Sequence, residues 1–321
     1  MSRRVPGLLA IVLLTAFCHH EQEGLRFPVA RTPERLDRGR YLVEGVAHCF
    51  QCHGEVDVAA DGQPRAGTRG AGTASFPDDA FKWLVVPNIT PDRETGAGKW
   101  TDEQLANAIR NGIGHDGRRL IALMPYPAFR AFSDEDLASI IVYLRSLPPV
   151  RRRLPKRPPI PKEFQTLQLE LPPLHSVPDP ELSTPEARGE WLARIADCEG
   201  CHTPVDAGFN PAPGMQLAGG MHFSGPYGTV TSPNLTRDTS GIPYYDEQVF
   251  IRTIRTGRVN GVRALNPVMP WSYLRRLSDD DLKALFAWVR SRPPVRHHAS
   301  NSEPAGFCRI CKTRHGGGAL N

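Results

Sequence analysis

The sequence predicts an all-α protein built from two successive copies of one small helical unit. Three observations carry this: segments that recur at a nearly constant offset, helix-start and helix-stop signals at matching places in both copies, and little of the apolar/polar alternation that marks strands. Asn88-Ile89-Thr90-Pro91-Asp92 returns as Asn234-Leu235-Thr236-Arg237-Asp238, and Ile109-Arg110-Asn111-Gly112 as Ile254-Arg255-Thr256-Gly257. Met124-Pro125 returns as Met269-Pro270, and Ser146-Leu147-Pro148-Pro149-Val150 as Ser291-Arg292-Pro293-Pro294-Val295. The offset is 145 or 146 at each of these places.

The elements of each unit can be justified in order. Thr32-Pro33 and Thr184-Pro185 place a capping hydroxyl before a proline suited to the first helical turn. Those first helices carry Gly39 and Gly189, where the lack of a side chain would let another helix approach closely. A middle helix starts at Thr101, which forms a T-x-x-Q capping box with Gln104; its counterpart starts near Asp246. The last helices open at Ser133 and Ser278, each with an aspartate three residues on. Leu137, Ile140, Ile141 and Leu144 share one face of the first of them; Leu282, Leu285 and Val289, flanked by Trp288, share one face of the second. Paired prolines at 148–149 and 293–294 then stop both helices.

Outside the units the chain changes character. Pro148 to Pro185 holds eleven prolines and the basic run Arg151-Arg152-Arg153, which predicts a stiff, extended linker with a solvated or partner-facing surface. At the start, Arg3 and Arg4 precede a mostly apolar run from Val5 to Phe17 and then polar sequence, the pattern of a secretory signal peptide over 1–20. That run is too short to span a membrane comfortably, and Phe17 sits where lipidation of Cys18 would want a small residue. The mature protein is therefore expected to be exported and periplasmic, with anchoring at the N-terminus left open. A formal charge of +5 is too modest to indicate nucleic acid.

The chemistry lies in two five-residue stretches, Cys49-Phe50-Gln51-Cys52-His53 and Cys198-Glu199-Gly200-Cys201-His202, offset by 149. Both read C-x-x-C-H, the pattern for covalent attachment of haem c. Two thiols add to the haem vinyl groups as thioethers, and the adjacent imidazole is held against the iron. A redox disulfide or half a zinc site is the alternative for a single C-x-x-C, but neither stretch has a further ligand pair near it. An iron with one histidine needs either a second protein ligand or an open position. Met124, 71 residues after His53, and Met269, 67 after His202, occupy equivalent proline-bounded loops. Two such methionines among only five point to axial ligation. The competitors His48, His115, Met215, Met221 and His222 have no counterparts in the other unit. Pro64 and Pro213 are candidates to supply a carbonyl to the imidazoles, and Trp100, Arg110, Tyr245 and Arg255 to hold propionates. Cys308-Arg309-Ile310-Cys311 is followed by Lys312 rather than histidine, so it is not counted as a haem motif. A short disulfide is the first reading there; a metal clip of Cys308, Cys311 and His315 with His297 or His298 is the second.

With these residues in place, the chain resembles the diheme class I cytochrome c proteins, and among them the cytochrome c subunits that accompany bacterial periplasmic dehydrogenases of the alcohol type. The resemblance rests on C-x-x-C-H, N-[IL]-T-x-D, R-x-G and M-P. It implies tandem class I cytochrome c domains at 30–150 and 183–295, joined by the proline-rich linker 151–182 and followed by a tail at 296–321. It implies two covalently bound haem c groups, one served by Cys49, Cys52, His53 and Met124, the other by Cys198, Cys201, His202 and Met269. Single electrons would pass from a dehydrogenase or quinol donor to a downstream cytochrome or terminal oxidase. The competing function is a diheme redox enzyme, peroxidase-like or thiosulfate-oxidising, which would need one iron with an open site. No catalytic residue, nucleic acid or substrate of its own is expected for the carrier, and peripheral membrane association stays open.

Overall fold

The structure is a computed structural model that describes residues 28–312 and 314–317. The signal-peptide segment 1–20 and Cys18 lie outside the described residues.

The first unit begins with α1 (Pro33–Tyr41), capped by the Thr32 hydroxyl. A π-helical turn, Leu42–Val46, leads from it into α2 (Cys49–Cys52), and every residue of that turn is buried. Next come a two-stranded ladder of β1 (Val56–Asp57) and β2 (Gln63–Pro64), and a long irregular stretch. Helix α3 (Asp102–Asn111) starts on the full Thr101–Gln104 capping box and ends on Gly112 in the left-handed region. A single turn, α4 (Tyr126–Phe129), and α5 (Asp134–Ser146), capped by Ser133, complete the unit.

The second unit repeats this plan with α6 (Pro185–Ile195) and α7 (Cys198–His202), then β3 (His222–Gly225) paired with β4 (Gly228–Thr231). Helix α8 (Glu247–Thr256) is followed by the β5 (Arg258–Val259) and β6 (Arg263–Ala264) ladder, α9 (Trp271–Leu274) and α10 (Asp279–Ser291). A last ladder of β7 (Gly306–Phe307) and β8 (Arg314–His315) lies in the tail. The expected caps Thr184, Asp246 and Ser278 all accept from the backbone three residues on.

The expectation of a purely helical chain needs correcting. Four two-stranded antiparallel ladders occur among the described residues. They close loops and form no packed sheet. Paired runs of only two to four residues are too short to leave an alternating pattern in the sequence.

Each unit is held by its first helix crossing its last. Gly39 lies against the Ser139 carbonyl of α5, and Gly189 against the Ala284 carbonyl of α10, so the glycines permit the backbone contact expected of them. The repeated asparagines also find a reason. Asn88 donates to the Val150 carbonyl and Asn234 to the Val295 carbonyl, both at 2.8 Å, tying the chain after the paired prolines back onto each unit.

The segment 151–182 is extended, apart from a 3-10 turn at Lys162–Leu167, but it is no spacer. It wraps the first unit. Phe164 is buried against Phe81 and Trp83, the Ala122 amide donates to the Leu167 carbonyl, and Tyr126 donates to the Leu169 carbonyl. Of its basic run, Arg151 pairs with Glu94 and Arg152 with Glu55, which occupies two of the three charges within the chain.

The halves meet in a reciprocal exchange. Tyr41 at the end of α1 donates to Asp281 of α10 and accepts from the Ser278 amide at 3.0 Å. Its counterpart Trp191 in α6 donates to the Ala131 carbonyl, 3.0 Å away, just before α5. Glu44 of the π-helical turn accepts from Tyr143 within its own half and pairs with Arg276 of the other.

Candidate functional site

Both C-x-x-C-H stretches form short helices entered through a residue in the left-handed region, His48 (φ 36°) and Asp197 (φ 53°). That twist turns the chain sharply after the first helix of each unit and presents Cys49 and Cys52, and Cys198 and Cys201, to one continuous cavity of about 1160 Å³. A pocket for one drug-sized ligand runs to roughly 300–1,000 Å³, so this cavity has room for more than one group. Burial pushes the Cys49 thiol up to about 12, with the neighbouring Cys52 adding to it, and Cys52 itself up to about 11. It pushes Cys198 and Cys201 up to about 12 as well, reinforced by the Asp197 charge.

The two histidines are held alike. His53 is buried with Nδ1 2.9 Å from the Pro87 carbonyl, and His202 is buried with Nδ1 2.9 Å from the Pro233 carbonyl. A carbonyl only accepts, so Nδ1 carries the proton and Nε2 is the nitrogen left to offer to a metal. Burial lowers both imidazole pKa values, against the opposing pull of those carbonyls, and favours the neutral ring that ligation needs. Pro64 and Pro213 do not fill this role. Pro64 pairs in the β1–β2 ladder instead. Pro87 and Pro233 stand directly before the repeated N-[IL]-T segments, so the repeat itself carried the signal.

Met124 and Met269 line the same cavity as the histidines. Each sits in a tight loop: the Met124 amide donates to the Ile121 carbonyl at 3.1 Å, and the Met269 amide to the Asn266 carbonyl at 3.0 Å. Met215, by contrast, packs with Ala218 and Cys311 in a separate apolar cluster. His115 also lines the cavity but stacks on Trp100 with ring centres 4.2 Å apart.

The arginine assignments change. Arg110 is buried and pairs with Asp134 at 2.7 Å; Arg255 pairs with Asp279 at 2.5 Å. Both tie the middle helix of a unit to the first turn of its last helix, so they are structural. Arg118, Arg119, Arg157 and Arg263 line the cavity, Arg118 and Arg263 one repeat apart, and so do Trp100 and Tyr245. Burial lowers the Arg118 pKa, and the nearby Arg157 of the wrapping segment lowers it further. On this mostly apolar wall Arg118 is already paired with Asp116 at 2.9 Å. The Trp83 indole N–H is buried on the same wall without an acceptor.

Residues 34–144 match the family described as cytochrome c oxidase, cbb3-type, subunit III. The chain carries a cytochrome c domain. It is also similar over most of its length to cytochrome c subunits of dehydrogenases. The fructose dehydrogenase cytochrome subunit of Gluconobacter japonicus is 30% identical over 280 residues, covering 83% of this chain and 54% of the relative. The alcohol dehydrogenase (quinone) cytochrome c subunit of Gluconobacter oxydans is 28% identical over 307 residues, 90% of this chain and 59% of the relative. A diheme cytochrome c-type protein of Cereibacter sphaeroides is 30% identical over 194 residues, 59% of this chain and 63% of the relative. The chain thus spans little more than half the length of the dehydrogenase subunits it resembles.

Proposed function

We propose that this chain is a periplasmic diheme c-type cytochrome, made of two tandem class I cytochrome c domains, that passes single electrons from a dehydrogenase or quinol donor to a downstream cytochrome or terminal oxidase. One observation carries the reading: two C-x-x-C-H helices and two repeat-related methionines line a single cavity. Cys49, Cys52, His53 and Met124 would hold the first haem c, and Cys198, Cys201, His202 and Met269 the second. The group, when bound, supplies a one-electron ferric/ferrous couple. The remaining work falls to the chain. The Pro87 and Pro233 carbonyls orient the imidazoles through their Nδ1 protons. The Met124 and Met269 thioethers would complete the ligand sets, which would favour the reduced state and leave no open site for a substrate. The buried Trp83 N–H, which has no acceptor, is a donor that a propionate would satisfy, with Arg118, Arg119, Arg157 and Arg263 supplying positive charge to the same lining.

Closure by methionine in both halves would separate the carrier from a diheme redox enzyme, which needs an open iron. The test is to replace Met124 and Met269 one at a time in the full chain. A pyridine haemochrome assay is expected to give two haems per chain in each variant. The sulfur-to-iron charge-transfer band should fall by about half in either variant and vanish in the double variant. A variant that leaves the band untouched would remove that ligand from the assignment.

A further inference from the structure

The third C-x-x-C of the sequence has a place in the fold that the haem sites do not explain. Cys308 and Cys311, for which a disulfide was the first sequence reading, are not bonded to each other in this structure. One potential ligand atom from each of His297, Cys308, Cys311 and His315 lies within 4.8 Å of all the others. His297 is fully buried. Its Nδ1 donates to the Ala218 carbonyl at 2.9 Å, which leaves Nε2 facing the Cys308 sulfur at 3.5 Å. Zinc bonds of about 2.3 Å to sulfur and 2.0–2.1 Å to nitrogen in a tetrahedron set that sulfur–nitrogen edge at about 3.5 Å.

Supporting structure surrounds the four residues. His315 Nε2 is buried and has no hydrogen-bond partner. The β7–β8 ladder sets His315 opposite Gly306, close to both cysteines in the chain. The turn between the cysteines is closed by the Lys312 amide donating to the Cys308 carbonyl at 2.9 Å, with Lys312 at φ 62°. His297 presses edge-on against Gly220, where a Cβ would meet its ring carbon at 2.7 Å. The other candidate, His298, is turned away towards Glu303 at 2.9 Å.

We propose that His297, Cys308, Cys311 and His315 bind one structural zinc ion that clamps the C-terminal tail onto the second unit. Two thiols and two imidazoles give a closed tetrahedral set with no position for substrate, which marks a structural site. On binding, both cysteines lose their protons to solvent and become thiolates. The clamp has a purpose in the fold. Residues 298–302 of the tail form part of the cavity wall, and Asn301 and Gly316 both bond to Thr231 on the same wall. Fixing the tail at His297 and His315 holds that wall in place from both sides.

The test uses the full chain with its haems attached. Elemental analysis by mass spectrometry, normalised to haem, should find one zinc per chain. X-ray absorption at the zinc edge should show a shell of two sulfurs and two nitrogens. Cys311→Ser and His297→Ala are expected to lose the zinc while keeping both haems by pyridine haemochrome. Should those variants fail to fold, alkylation of the wild type decides: both tail thiols should react in denaturant only after a chelator has removed the metal. Absence of zinc, with Cys308 and Cys311 recovered as a disulfide-linked peptide, would overturn the proposal. So would non-haem iron in place of zinc. Neither result depends on the ligand assignment of the haem irons.

Discussion

A methyl group on Gly39 would stand 2.0 Å from the Ser139 carbonyl oxygen, and one on Gly189 equally close to that of Ala284. Alanine in a helix is worth about 1 kcal/mol over glycine, whereas forcing backbone apart in a packed core costs about 1–3 kcal/mol or more. Backbone cannot swing aside as a side chain can, so the crossing term wins. Gly39→Ala should lower the unfolding free energy by about 2 kcal/mol in denaturant titrations, and a neutral or stabilised variant would refute the close crossing. Burial also pushes the Asp197 carboxyl up to about 6, with the Gly200 amide pulling it down and the Glu199 charge pushing it further up. Its folded pKa is thus above the ordinary value of 3.8, so the proton is held more tightly in the folded state. The stability linked to it is fully present below about pH 4 and is lost as pH rises through about 6. Allowing for its partial exposure, Asp197→Asn should gain about 1–2 kcal/mol relative to wild type between pH 4 and 7. A gap that stays flat across that range would show an unperturbed carboxyl. At this scale the cysteines, histidines and methionines that line the cavity could be singled out from sequence because the chemistry expected of them restricts residue type and the C-x-x-C-H spacing. The carbonyls of Pro87 and Pro233 were harder to find, since a backbone acceptor leaves no residue-type signature; only their shared position before N-[IL]-T marked them.

Helix boundaries were legible for a local reason. A cap is a contact between residues three apart, so Thr32, Thr101, Ser133, Thr184, Asp246 and Ser278 could be named from sequence alone and all accept the expected amide. The π-helical turn at Leu42–Val46 was not legible, because no local residue pattern marks it and the partners of its buried Glu44, Tyr143 and Arg276, lie far away in the chain. Nor was the course of the wrapping segment. Its prolines say that it is extended, and only the folded unit says where it lies. Phe164 is its anchor, packed on Phe81 at 4.9 Å and Trp83 at 5.5 Å between ring centres. Phe164→Ala should cost about 3 kcal/mol and raise proteolytic cleavage within 151–182. If cleavage there is unchanged, the segment is held by its backbone bonds and Phe164 is not the anchor.

Across the whole molecule the repeat is arranged so that each half completes the surroundings of the other. Gln51, between the cysteines of the first motif, donates to the Val268 carbonyl beside Met269 at 3.0 Å. Gln63 and Gly62, which follow that motif, bond to Ser272 and Tyr273 of α9. Bonds of this kind leave little freedom for one half to swing against the other, and the cavity runs unbroken between the two sets of cysteines. Two haems held there would exchange electrons within the chain, without a second molecule. Injecting less than one electron equivalent by flash photolysis into fully oxidised protein should give two phases. The first scales with protein concentration; the second, redistribution between the haems, should keep the same rate over a tenfold dilution. On the proposed assignment, replacing Met124 would remove a thioether that raises the potential of the first haem, so the redistribution should then end with more of the electron on the second haem. A second phase that slows in proportion to dilution would mean that the halves act as separate carriers despite their shared cavity.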